Sequence, residues 1–305
     1  MAGMASLTYK GIDTMKWQKD VMRNQYTSAQ VAALLDVLIT GLHVTHVAIS
    51  PPMDHSNDYP SPAPAPLTAY AYTQLWADAI HNRGAKVLWR GTWCGLEGIY
   101  GFTKLVGGLR ISAQAWIDKT VNYINSNPNC FENGDIWACI PEATGHGIFN
   151  DSTSFLPHSG AGIQANYSAF FNDLYDASQA AFTAMGKSGV LTGYSAQNYS
   201  EIYSGWLPMS LYGHSNVLCF DHYGITHTVA EMESDLRYVR GTTGLPLFHQ
   251  EWSDYWNQSL AESARVAYLQ DMYTMMGRLV DEGITIGFNY WGGWPGAGES
   301  IVVQV

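Results

Sequence analysis

Charge is what this sequence has least of. Only 13% of its residues are Asp, Glu, Lys or Arg, where about a quarter is usual for a soluble domain. Basic residues are the scarcer kind, 15 Lys and Arg against 26 Asp and Glu, for a formal net charge of −11. Binding to nucleic acid needs clustered cations that displace counterions, so this balance argues against it, and equally against acidic polymers and anionic membranes. A neutral partner suits the chain better. Long apolar runs are also missing: none approaches the roughly twenty residues needed to span a bilayer. The four cysteines, Cys94, Cys130, Cys139 and Cys219, lack C-x-x-C spacing, which argues against zinc. Cys139 and Cys219 lie in apolar runs and read as buried thiols, while a disulfide from Cys130 to Cys139 or Cys94 stays open. The opening Met-Ala-Gly-Met-Ala-Ser has no basic-then-apolar signal pattern, so residues 1–8 are taken as a leader and residues 9–305 as one domain. Low Lys with abundant Ser, Asn and Tyr suits a protein working outside the cell.

What is abundant is apolar and aromatic. The chain is 47% hydrophobic, with 11 Trp and 19 Tyr. Most such rings belong in a core, but together they also suit stacking on the C–H faces of sugars. Apolar strand-like runs alternate with helical patterns along the whole chain: Tyr9–Trp17, Val44–Ser50, Lys86–Arg90, Asp135–Ile140, Val190–Ser195, Asn216–His222, Leu245–Glu251 and Ile284–Trp291. Between them, Thr27 with Gln30, Thr228 with Glu231 and Ser259 with Glu262 have the spacing of capping boxes that open helices. Strand–helix alternation calls for a parallel sheet with helical crossovers. Eight strands at about 39 residues per repeat, with no linker between them, predict one (β/α)₈ TIM barrel. The closing eighth helix is expected to be truncated or irregular, because only fourteen residues follow Trp291.

The functional signal lies where the strands end. In this barrel, chemistry sits at the carboxyl ends of the strands and in the loops after them. The runs here finish on Asp13, Ser50, Arg90, Glu142, Tyr194, His222, Glu251 and Asn289–Trp291, nearly all able to bind or ionise. The opposite loops are short and bland, such as Gly84-Ala85 and Gly283. Glu142 and Glu251 end the fourth and seventh strands, so they are expected to face each other across the barrel mouth. Two carboxylates in one pocket repel, which raises one pKa and leaves the other low. That split is what an acid and a nucleophile require. Asp54-His55, in a loop with six prolines from Pro51 to Leu67, is read as solvated, and no metal is expected.

On these residues the chain resembles the clan A glycoside hydrolases, retaining (β/α)₈ enzymes with an acid/base Glu after strand four and a nucleophile Glu after strand seven. Within them it is most similar to the endo-acting β-glycanases of families 5, 39 and 113. The resemblance implies that Glu142, in Ile140-Pro141-Glu142-Ala143, is the acid/base and that Glu251, in His249-Gln250-Glu251-Trp252, is the nucleophile. It makes Phe220-Asp221-His222-Tyr223 the strand-six feature whose Tyr touches the nucleophile, and Asn289-Tyr290-Trp291 the strand-eight feature whose Trp floors the sugar site. Arg90 stands for the Arg that keeps the nucleophile ionised. The pattern departs at Pro141, where the clan carries the Asn that bonds the sugar 2-hydroxyl; Asn289, Gln250 or His146 is the expected replacement.

The expectation is therefore a retaining endo-β-glycosidase acting on a neutral polysaccharide of β-mannan, β-glucan or xylan type, extracellular and monomeric. It needs no cofactor. Glu142 and Glu251 are its catalytic residues, and Arg90, Trp93, His146, His222, Tyr223, Trp252, Asn289 and Trp291 line its substrate site. The rival is a barrel that binds carbohydrate without turning it over, as an adhesion or tail protein does, and Pro141 is its main support. A lyase or isomerase barrel fits less well: such enzymes need a Schiff-base Lys, a phosphate-binding glycine loop or a metal cluster, and Lys16 is the one Lys near a predicted strand end.

Overall fold

The computed structural model describes residues 9–13, 28–51, 69–91, 105–106, 109–110, 112–140, 163–196, 202, 209–223, 228–252 and 261–290. Eight parallel strands form its centre: β1 (Tyr9–Asp13), β2 (His46–Ile49), β3 (Lys86–Arg90), β4 (Ile136–Ala138), β5 (Leu191–Ala196), β6 (Val217–Asp221), β7 (Leu247–Trp252) and β8 (Thr285–Tyr290). Each pairs with the next in sequence, and β1 also pairs with β8, so the sheet closes into a barrel. Among the described residues six α-helices lie between strands: α1 (Ser28–Leu35), α2 (Ala69–His81), α3 (Ala113–Ser126), α4 (Ile163–Ala184), α5 (Val229–Thr243) and α6 (Glu262–Asp281). The predicted TIM barrel is thus observed. An eighth helix after Trp291 would lie outside the described residues.

Side-chain alternation along the strands divides the core in two. Ala48, Leu88, Ile136, Ala138, Val217, Cys219 and Phe248 pack on one another inside the barrel. Their neighbours Val47, Val87, Trp89, Trp137, Leu218 and Leu247 point outward and join the helices in a larger layer. Much of the aromatic load is there. Trp89, Tyr123, Phe131, Trp137 and Phe182 form one cluster between β3, β4 and the helices over them, with centroids 4.9–6.5 Å apart. Edge-on and tilted contacts of this kind add about 0.5–1.5 kcal/mol per pair beyond the area they bury.

Local chemistry explains the joints. The Thr228–Glu231 capping box forms as predicted, and Gly244 ends α5 at φ +68°, a left-handed position that favours glycine. Ser259 lies outside the described residues; α6 opens after Ala261, with Glu262 as its first residue. At Gly193 a side chain would place its Cβ 2.2 Å from the Val217 carbonyl oxygen, so only glycine lets β5 and β6 approach this closely. Asp135, fully buried before β4, accepts from the backbone N–H groups of Val87 and Glu132, from Trp89 Nε1 and from His81 Nε2. It ties the starts of β3 and β4 together. Cys130, Cys139 and Cys219 are buried and free, so the disulfide between Cys130 and Cys139 is not made. Burial pushes the Cys130 thiol up to about 12.

Two histidines are built into the barrel wall without charge. His46 donates from Nε2 to the Gly134 carbonyl at 3.1 Å, and burial lowers its pKa to about 4. His249 donates from Nε2 to the His222 carbonyl at 2.8 Å, and burial, helped by His222, lowers it to about 3. In the unfolded chain both return to about 6.5. Between pH 6.5 and 4 the unfolded state therefore binds more protons, and stability falls as the pH drops through that window. From pH 7 to 5 each should cost about 2 kcal/mol. Carboxylates that lose stability on protonation, such as Glu132 and Glu233, do so lower, near and below pH 4.5. Urea unfolding at pH 7 and 5 should show about half the wild-type loss in His46→Gln. An undiminished loss would mean that His46 takes no part.

Candidate active site

Alternation on each strand decides which side chains reach the barrel mouth. On β3, Leu88 points in and Trp89 out, so Arg90 points in; its side chain is fully buried. On β6, Val217 and Cys219 point in, Leu218 and Phe220 out, and the run continues with Asp221 in and His222 out. Tyr223, the next inward position, lies just past the strand. From β7 comes Glu251, 3% exposed. These groups meet. Arg90 reaches across the lumen and donates from Nη1 to Glu251 Oε1, a buried ion pair between β3 and β7. Tyr223 donates its phenol to Glu251 Oε2 at 2.6 Å. Burial, and then the charge of Glu251, push the Tyr223 pKa upward, so the phenol keeps its proton and acts as a donor. Both carboxylate oxygens of Glu251 are thus occupied by donors, one of them a guanidinium that is always protonated.

Around this pair is a second tier of polar groups. Ser195 Oγ donates to Gln250 Oε1 at 2.7 Å, and Gln250 Nε2 donates to Asp221 Oδ1 at 3.4 Å. Asn289 Nδ2 donates to the Gln250 carbonyl at 2.9 Å. Asn289 Oδ1 is buried without a hydrogen-bond partner. Leaving such an acceptor unsatisfied costs about 1–3 kcal/mol.

Three sequence expectations are corrected by orientation. Trp252, expected to offer its face to a ligand, is fully buried on the outside of β7, edge-on to Tyr273, Phe288 and Tyr290 at 5.1–6.1 Å centroid distances within that group. His222, expected to touch substrate, faces outward and contacts Asp235 of α5 through Nε2 at 3.0 Å. Tyr194, taken as the polar end of β5, also faces outward, edge-on to Phe171 at 4.8 Å; Ser195 is the lumenal residue there. Ser195 and Asp221 were missed, although counting by twos from Gly193 and Cys219 finds both. Glu142, Trp93, His146 and Trp291 lie outside the described residues. Among the described residues, no group of three or more His, Cys, Asp or Glu could hold a metal ion, and no helix is long and apolar enough to cross a membrane.

Comparison with known proteins locates this arrangement within a fold. No protein-family model matches the chain, and no curated protein matches its sequence. Solved structures do match in shape. A fungal β-1,4-galactanase superimposes with a TM-score of 0.64 at 12% identity, over 93% of this chain and 89% of its own. The GH53 catalytic domain of Ignisphaera aggregans gives 0.64 at 14% identity, over 97% and 88%. A GH113 β-1,4-mannanase gives 0.50 at 12%, over 94% and 87%. At these identities the likeness is one of fold, and the chain has the barrel fold of these glycoside hydrolases.

Proposed function

We propose that the chain is a retaining endo-β-glycosidase that hydrolyses a neutral polysaccharide. The observation that carries this reading is Glu251: a carboxylate at the barrel mouth, paired across the lumen with Arg90 and hydrogen-bonded by Tyr223. A carboxylate fixed in this way is aimed and can attack an anomeric carbon. Glu142, two residues past Ile140 and at the end of β4 in sequence, is the proposed acid/base. It would protonate the glycosidic oxygen as Glu251 attacks, then deprotonate the water that releases the sugar from Glu251. Retention requires the two carboxyl groups about 5–5.5 Å apart, and a gap of about 6.5–9.5 Å would instead give inversion.

The remaining groups take supporting roles. Asn289 Oδ1, buried and without a partner among the described residues, is the proposed acceptor for a sugar hydroxyl, a contact with the substrate that Pro141, with no polar side chain, does not make. Trp93, His146 and Trp291 are proposed to line the cleft on the strength of their positions after strands. The chain's −11 net charge supports a neutral substrate, and the galactanase and mannanase among the neighbours put β-1,4-galactan and β-1,4-mannan first in any panel. A monomer working outside the cell remains the proposed setting.

The test is hydrolysis of a panel of β-linked polysaccharides and aryl β-glycosides, with the anomeric configuration of the first product followed by NMR. Glu142→Gln separates the roles. General acid catalysis contributes roughly 10²–10⁴ in rate, so the variant should lose about that much on polysaccharide and far less on an aryl glycoside with a good leaving group. Equal losses on both would remove Glu142 from the acid role. Glycan binding without turnover of any glycoside would favour the non-catalytic barrel.

A further inference from the structure

The last strand before the proposed nucleophile does not alternate. On β7, Leu247 points out, Phe248 in, and His249 out, where its ring stacks on outward-facing Phe220 at 5.5 Å. Gln250 then points in, toward Ser195 and Asp221. Glu251 also points in, toward Arg90 and Tyr223, and Trp252 returns to the outside. Two consecutive side chains share one face. The register gives the cause. Between His249 and Glu251, β7 advances two residues while β6 advances one, from Phe220 to Asp221. Between His249 and Trp252 it advances three while β8 advances two, from Phe288 to Tyr290. One extra residue, Gln250, is therefore inserted against both neighbours. This is a β-bulge, uncommon between parallel strands and a known means of re-aiming a side chain beside an active site.

We propose that Gln250 is a positioning residue: the bulge it forms takes up one residue without advancing β7 against its neighbours, so that Glu251 keeps the level of Asp221 and faces into the lumen, and Ser195, Asp221 and Asn289 hold the bulge there. Were Gln250 an ordinary strand residue paired with Asp221, strict alternation would turn Glu251 outward and carry it one strand rise, about 3.3 Å, further along. It would then face the helices, away from Arg90 and Tyr223. The insertion is anchored at both polar ends of its side chain and at its carbonyl, through three hydrogen bonds at 2.7, 3.4 and 2.9 Å. Such anchoring is what an unpaired bulge residue needs to keep one conformation. The inference rests on the reading of Glu251 as nucleophile.

Three variants test it on the full chain, each checked for a cooperative unfolding transition and assayed on an aryl β-glycoside. Gln250→Leu keeps the volume and removes both side-chain anchors. A misplacement of about 1 Å costs roughly 10²-fold in rate, so kcat should fall about 10- to 100-fold with KM within about twofold. Deleting Gln250 removes the bulge and all three anchors while Glu251 follows His249 directly, and should lower kcat at least as far as Gln250→Leu does. Ser195→Ala removes one anchor with little change in bulk and should lower kcat severalfold at unchanged KM; it decides the matter if the other two do not fold. Wild-type kcat in Gln250→Leu or Ser195→Ala overturns the proposal. So does a loss expressed mainly in KM, which would make Gln250 a substrate contact. Full activity in Glu251→Ala, assayed alongside, would instead remove the nucleophile assignment itself, a result distinct from either.

Discussion

Glu251→Ala is expected to lose about 10⁴-fold or more of turnover on polysaccharide and aryl glycoside alike, since removing a covalent nucleophile commonly costs that much. The loss differs in kind from that of Glu142→Gln, because no leaving group, however good, substitutes for the attacking carboxylate. Alanine also leaves a space at the mouth, lined by Arg90 and Tyr223, into which a small anion fits. Added azide should therefore restore part of the turnover of an activated aryl β-glycoside. A single displacement should then yield the α-glycosyl azide, inverted where the wild-type product is retained. Product configuration by NMR is the deciding measurement. Most of the activity surviving in Glu251→Ala would end the assignment, and a β-azide would end the direct-displacement geometry.

Arg90→Met should destabilise the fold by about 3–5 kcal/mol, the usual cost of leaving one member of a buried ion pair without its partner. Arg90 is fully buried and Glu251 is 3% exposed, so solvent cannot screen the stranded carboxylate. Turnover should fall as well, because Oε1 loses the donor that fixes its direction. The informative comparison is the double variant Arg90→Met/Glu251→Leu. A buried pair replaced as a whole by apolar residues is often neutral or stabilising. The double variant should accordingly recover most of the stability lost by the single one and none of the activity. Urea unfolding of wild type, both single variants and the double completes the cycle. If Arg90→Met alone is as stable as wild type, the pair is not the buried interaction described above. Recovery of stability with activity absent would mark Arg90–Glu251 as an arrangement kept for function at a cost to the fold.

Much of this was legible in the sequence. Runs such as Lys86–Arg90 alternate with amphipathic helical stretches, and strand–helix repetition at this spacing admits few closed arrangements. The observed strands depart from the predicted runs by a residue or two at most ends, as at β8, predicted over Ile284–Trp291 and found at Thr285–Tyr290. The exception is the first run, Tyr9–Trp17, of which only Tyr9–Asp13 is described as strand. Arg90 and Glu251 were found as polar groups at strand ends, and Tyr223 through the resemblance to the clan A glycoside hydrolases. Trp252 and His222 were found by the same rule and misjudged, because a polar or aromatic residue at a strand end fits equally well against the helices outside. His222 illustrates the ambiguity: its outward partner, Asp235, lies on α5, 13 residues away, and nothing local announces the pairing.

Composition and periodicity determined that the chain is a parallel barrel and that its polar groups gather at the ends of its strands. Those properties depend on nearest neighbours along the chain, on side chains alternating every two residues and on helices repeating every 3.6. Which way Glu251 faces was decided elsewhere. Strict alternation from Phe248 would have turned Glu251 out toward the helices and Trp252 into the lumen. The bulge at Gln250 reverses both, and it exists because β6 and β8 each offer one residue fewer than β7 at that level. A register difference between strands some thirty residues apart is a property of the closed sheet, and no single strand carries it.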